Sequence, residues 1–295
     1  MADATELYIP DGSFQATFQT DMAIDWLNGR AGQTNPFFLM ISFGGPHTPY
    51  TAPTNYLNLF DKSTFVLRPN VPAANDAAAR TDLRGYYAHC KCLDDNIGRL
   101  VQTLLDNGFT DNTLICFTAD HGDMLYSQGQ QVKSKPWEES ANVPFIAKWP
   151  QSVPGGRTLD ALFCSIDIYP TLCGLAGVPI PSGKDGVDYS HLFRGEAGPE
   201  RESVSLTIGE PTAASPWRGV VTPTHTYAWR PKQGTGWVLY NNVTDQYQMN
   251  NLIGQAGSEA LEEQMRRLAL RWMRAYDDPL RAVVPGSDVP RWRLY

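Results

Sequence analysis

The sequence predicts an α/β fold: a mostly parallel sheet sandwiched by helices, followed by a small α+β subdomain. Three observations carry this. Short, continuously apolar runs alternate with helical periodicity over the first 200 residues, which is the pattern of strands buried on both faces between crossover helices. Gly and Pro punctuate these elements, Pro36 and Gly44 around the first apolar run and Gly29 and Gly108 after the helical ones. After residue 200 the chain turns to short alternating stretches separated by turn residues, the signature of antiparallel pairing. We therefore divide it at 1–200 and 201–295.

Taken in order, Thr17 to Gly29 reads as an amphipathic helix with Phe18, Met22 and Trp26 four apart and Gly29 as its stop. Pro36 to Phe43 is an apolar run bounded by Pro and Gly, hence a buried strand, and it breaks into the Gly44-Gly-Pro-His-Thr-Pro-Tyr50 loop. A long helix follows near Thr81 to Asn107, with Leu83, Tyr86, Cys90, Leu93, Ile97, Leu100 and Leu104 on one face and Gly108 at its end. Asn112 to Thr118 is a second buried strand that runs into Ala119-Asp-His-Gly-Asp123, and Val143 to Trp149 is a third. A helix around Asp167 to Ala176 completes the main pattern. Beyond it, Val220-Val221, Thr226–Trp229 and Trp237–Tyr240 predict a small antiparallel sheet, and Ser258 to Tyr276 a last helix with Leu261, Met265, Leu268 and Trp272 inward.

Composition limits the function. The chain has 295 residues, and 24 Lys plus Arg against 31 Asp plus Glu give a net charge of −7, with no long basic run. That excludes a general nucleic-acid binder. The five cysteines are odd in number and Cys90-Lys-Cys92 lacks C-x-x-C spacing, so buried free thiols are expected. No apolar run approaches the about 18 residues of a membrane span. Residues 1–6 lack a basic and apolar leader, so the chain as given reads as cytoplasmic, or as periplasmic or secreted if a leader precedes it. One sequon, Asn242-Val-Thr244, is present.

Ligands of parallel α/β sheets sit at the carboxyl ends of strands. His47 follows the first strand, Asp120 and His121 follow the second, and Lys133 lies beyond them. Consecutive Asp and His at a strand end can both reach one divalent ion, with Gly122 relieving crowding. The alternative is that Asp120 caps the following segment and His121 is an ordinary loop residue. His47 and Lys133 could hold a tetrahedral oxyanion, or be a polar loop residue and a solvated surface charge. Spacing leaves these alternatives open.

The stretch Pro36-Phe-Phe-Leu-Met-Ile-Ser-Phe-Gly-Gly-Pro-His-Thr-Pro-Tyr50, with Ala52-Pro53 and Tyr56, resembles the central histidine motif of sulfatases. The likeness continues through Tyr86-Tyr-Ala, Leu93-Asp-Asp-Asn-Ile-Gly-Arg99, Asp111 to Asp123, Trp137-Glu-Glu-Ser140, Val143-Pro-Phe-Ile146, Ile166 to Leu172, and Leu239 to Leu252. The chain resembles the C-terminal two-thirds of a sulfatase of the alkaline-phosphatase superfamily. The resemblance implies an alkaline-phosphatase-like fold, truncated at its N-terminus. It implies Asp120 and His121 as metal ligands, for calcium, manganese, zinc or magnesium, and His47 and Lys133 as contacts to sulfate or phosphate oxygens. His47, Lys133 and His121 form the expected catalytic set.

Two departures matter. The Cys/Ser-x-Pro-Ser-Arg motif that yields the family's formylglycine is not in this sequence, so no formylglycine is expected and metal-bound water is the expected attacking group. Gln128 stands where relatives place a histidine. The expected function is a metal-dependent hydrolase of small anionic sulfate or phosphate esters. The alternatives are a non-catalytic anion-binding remnant and one part of a split enzyme. Uncovered sheet edge and apolar surface predict homo-oligomerisation, with neither nucleic acid nor membrane as partner.

Overall fold

The structure is a computed structural model that describes residues 9–210 and 212–283. It forms two compact units. The first comprises the described residues up to Leu67 together with Val71–Leu114, and the second Arg68–Asn70 together with the described residues from Ile115 onward. The boundary at residue 201 falls inside the second unit, and residues 1–6, read for a leader, lie outside the described residues.

The first unit is helical. Helix α1 (Gln15–Asn28) packs on the 31-residue α3 (Asp76–Asp106), and the four-residue α2 (Thr54–Leu57) also lies against α3. The buried stripe of α1 is Ala16, Thr20, Ala23 and Leu27 rather than Phe18, Met22 and Trp26. Small residues let the two helices approach closely, while Met22 and Trp26 stay about 40% exposed. Trp26 is instead covered edge-on by Phe37, at 5.5 Å between centroids. Helix α3 begins before Thr81 because Ala77, Ala78 and Ala79 favour the helix, and Asp76 both sits in its first turn and pairs with Arg80 at 2.8 Å. Its backbone is crowded at Gly85, where an added Cβ would lie 2.0 Å from the Tyr50 carbonyl oxygen.

Pro36 to Phe43 belongs to no strand or ladder among the described residues, and Phe38 and Met40 are 79% and 77% exposed. The expectation of burial on both faces fails for this segment. Composition reports the environment a strand suits; burial requires covering elements, and the described residues place none over these two side chains.

In the second unit, β1 (Ile115–Thr118) leads through the four-residue α4 (Glu138–Ala141) to β2 (Phe145–Lys148). These two strands pair antiparallel, Ile115 opposite Lys148 and Thr118 opposite Phe145. A parallel pair needs a crossover, usually helical, and the connection between these strands holds only turns and the single turn of α4. The helix α5 (Ser165–Ala176) begins at a cap in which the Asp167 carboxylate accepts the Cys164 N–H at 2.9 Å, and ends at the left-handed Gly177. Asp167 is fully buried and paired with Arg201 at 2.7 Å. A further turn, α6 (Ser190–Phe193), follows.

The predicted antiparallel sheet is a meander, β3 (Val204–Ile208), β4 (Trp217–Val221), β5 (His225–Arg230) and β6 (Thr235–Asn241), in that order. Helix α7 (Glu259–Ala275) buries Met265, Leu268, Ala269 and Trp272 against Val220, Tyr227 and Leu239. This is the one-sided amphipathic stripe that its sequence predicts. A second cluster joins Trp217, Ala228, Val238 and Tyr240 of the sheet to Met124 and Trp137. The cysteines are free, as expected, but Cys92 alone is buried and Cys116 is exposed.

Candidate active site

Strand β1 ends at Thr118, and the chain turns at once through Asp120, His121 and Gly122. The Asp120 carboxylate accepts the backbone N–H of His121 at 3.0 Å and remains 87% exposed. The His121 Nδ1 lies 2.8 Å from the Gly122 carbonyl oxygen. A carbonyl only accepts, so Nδ1 carries the proton. In the neutral ring, Nε2 then presents its lone pair, and it stands 3.5 Å from Asp120 Oδ2. A backbone partner on one ring nitrogen that leaves the other available is the arrangement metal-ligating histidines use.

Gly122 explains how the loop reaches this form. Its N–H donates to the Ser140 carbonyl at 2.9 Å, and a Cβ there would lie 2.1 Å from the Glu139 carbonyl oxygen. Only glycine allows this approach between the loop and α4. Glu139, nearly buried, accepts from Asn70 at 2.7 Å and pairs with Arg68 at 3.0 Å, which anchors α4 in turn.

Lys133 belongs to the segment that returns toward this loop. The Met124 N–H donates to the Val132 carbonyl at 2.8 Å, which closes the chain between Asp123 and Lys133 into a compact excursion. The backbone N–H of Lys135 donates to Ser140 Oγ at 3.2 Å, so Ser140 holds both sides of the excursion. Gln128, inside it, donates its amide to the carbonyls of Tyr247 at 3.1 Å and Gln248 at 2.8 Å. Its donors are thus engaged with backbone, which accounts for a glutamine at this position without a role at a leaving group.

His47 lies in the first unit, exposed, on the loop whose Gly45 rests on α3. A Cβ on Gly45 would lie 1.8 Å from His89 Nε2, so this loop too depends on a glycine at a close approach. The His47 Nδ1 is 2.7 Å from the Thr48 carbonyl oxygen and therefore protonated. His47 can donate from Nε2 to an oxyanion only as the imidazolium; as the neutral ring, Nε2 is a base.

The structure thus brings Asp120 and His121 together and ties the backbone on either side of Lys133 into the second unit. Of the supporting residues, Gly122 is visible in the sequence as the glycine directly after a candidate ligand, and Glu139 and Ser140 only as part of the Trp137-Glu-Glu-Ser140 stretch, without their contacts. The donor chemistry of Asp120 and His121, one carboxylate oxygen and one oriented imidazole, fits part of a divalent-ion site. Among the described residues no group of three His, Cys, Asp or Glu is assembled to complete one.

Comparison with known proteins identifies the family and the fold. Residues 8–178 match the Sulfatase family, and residues 131–274 match the family described as N-sulphoglucosamine sulphohydrolase, C-terminal. The chain belongs to the sulfatase family. It is similar to the ulvan-active sulfatase of Formosa agariphila, with 33% identity over 81% of this chain and 48% of that protein. It is also similar to the endo-4-O-sulfatase of Bacteroides thetaiotaomicron, with 30% identity over 83% of this chain and 52% of that protein. Among solved structures, the yidJ protein of Bacteroides fragilis superposes with a TM-score of 0.84 at 26% identity, covering 92% of this chain and 61% of that one. The fold is the alkaline-phosphatase-like α/β fold. The chain spans about half the length of the curated relatives it matches. No helix among the described residues is long and apolar enough to cross a membrane.

Proposed function

We propose that this chain acts in the metal-dependent hydrolysis of sulfate esters, with phosphate esters as the neighbouring class. The observation that carries this is the oriented His121: its Nδ1 proton is committed to Gly122, and its Nε2 faces the same solvent-open space as the Asp120 carboxylate. Membership of the sulfatase family supports the same assignment.

In this reading Asp120 and His121 hold the ion, and their loop is kept in place by the Gly122 contact with α4. When bound, a divalent ion supplies Lewis acidity toward the ester oxygens and an attacking water. Lys133 places a fixed positive charge against the oxyanion. Negative charge grows on the leaving-group oxygen as the sulfur–oxygen bond breaks, so a cation that also reaches this oxygen favours the transition state over the bound ester. For the chain acting alone, the nucleophile we assign is water rather than formylglycine. A second reading, one part of a larger assembly, is favoured by the exposure of Phe38 and Met40.

The test is hydrolysis of chromogenic aryl sulfate, phosphate monoester and phosphate diester after chelation and then with calcium, manganese, zinc or magnesium added back. Metal-restored turnover that vanishes in Asp120→Ala supports the hydrolase. No turnover above that variant on any ester removes the stand-alone enzyme and leaves the assembly reading.

A further inference from the structure

We propose that Trp217 is a positioning residue for Lys133: the C-terminal sheet fixes the peptide after this lysine through a hydrogen bond from the indole to the Ser134 carbonyl. The inference rests on the reading of Lys133 as a contact to the oxyanion.

The backbone around Lys133 is unusual. Leu125, Tyr126, Gln128, Val132 and Ser134 all have positive φ, between 40° and 70°. For the β-branched Val132, at 54°, this is a true outlier. Lys133 lies between two such residues. Conformations of this kind persist only where the surroundings hold them, and they gather where a side chain must be aimed.

The holding groups can be named. On the N-terminal side of Lys133, the Val132 carbonyl accepts from the Met124 N–H at 2.8 Å. On the C-terminal side, the Ser134 carbonyl accepts from Trp217 Nε1 at 3.2 Å. Trp217 comes from β4, 83 residues further along the chain, and is 4% exposed. Its ring packs in one cluster with Met124 and Trp137, which bracket the segment in sequence, and meets Trp237 edge-on at 5.9 Å. The donor therefore has one available direction.

A purely structural bond would serve mainly to satisfy a buried carbonyl. This bond is part-buried and joins a buried indole to an exposed residue rather than two core groups. What the indole adds is a fixed orientation for the peptide that follows Lys133.

The experiment uses the full chain with Trp217→Phe, which removes the donor and keeps a ring in the cluster. Replacement of Trp217 by benzothienylalanine, with sulfur in place of the N–H, serves if the phenylalanine variant does not fold. Two quantities are read beside the thermal midpoint: the rate at which acetic anhydride labels Lys133 relative to Lys148, by peptide mass spectrometry, and the affinity for inorganic sulfate, by calorimetry. We expect a folded variant whose Lys133 labelling relative to Lys148 changes roughly fivefold, the scale of one net hydrogen bond, with weaker sulfate binding. An unchanged Lys133 to Lys148 ratio in a folded variant overturns the inference. Should the wild-type chain bind no sulfate, the oxyanion reading of Lys133 fails separately, and the labelling ratio still decides whether Trp217 positions it.

Discussion

Replacing Gly122 with alanine tests how the His121 loop is held. The added Cβ would lie 2.1 Å from the Glu139 carbonyl oxygen and 3.0 Å from its carbon, both backbone atoms of α4. Neither can rotate away, and α4 is anchored through Glu139 to Asn70 and Arg68. Relief requires the loop to move by about 1 Å, at an overpacking cost of about 1–3 kcal/mol. The movement acts on the Gly122 N–H to Ser140 bond and on the carbonyl that orients His121. Lost support behind a metal ligand typically lowers metal affinity about 10–100-fold. We expect Gly122→Ala to fold with a lower thermal midpoint and manganese affinity reduced by that factor in calorimetry. Gly98→Ala is the control, because nothing lies within 4 Å of its Cβ on α3 and the substitution should stabilise by roughly 0.5–1 kcal/mol. Metal affinity equal to wild type in Gly122→Ala would refute the claim that this contact orients His121.

Three further outcomes follow from the same structure. Asp167→Asn leaves the Arg201 guanidinium buried without its carboxylate partner and should cost about 3–5 kcal/mol in urea unfolding; a loss under about 1 kcal/mol would contradict the pairing. Burial holds His89 and His225 below the ordinary histidine value of 6.5, so the unfolded chain binds protons first as the pH falls. Their contribution is therefore complete above 6.5 and is lost as the pH drops below it, by at most about 1.4 kcal/mol per pH unit for each histidine. Melting curves between neutrality and the carboxylate range should show this slope, and His89→Gln should flatten it. Finally, the exposed Phe38, Met40 and Val66 predict concentration-dependent self-association in sedimentation velocity. Phe38→Glu with Met40→Glu should reverse it, and a wild-type monomer at every concentration would count against it.

Much of this protein is determined locally. The stripe of α7, the stops of α1 and α5, and the alternating strands of the C-terminal meander follow from side-chain periodicity and from glycine at helix ends. These are short-range effects that a linear reading captures. So is the coincidence of Asp120, His121 and Gly122 directly after an apolar run, because a strand end places consecutive polar residues in one turn. The tertiary structure decided the rest. Antiparallel pairing of β1 with β2 depends on what the 26 residues between them do, and the exposure of Phe38 and Met40 depends on which elements cover them. The inward face of α1 was set by how closely α3 approaches, not by the larger side chains. The roles of Ser140, Glu139 and Trp217 arise from contacts between residues distant in sequence; the indole reaches a carbonyl 83 residues away. Periodicity records which way a side chain points from its own element. It carries no information about which distant backbone atom it will meet.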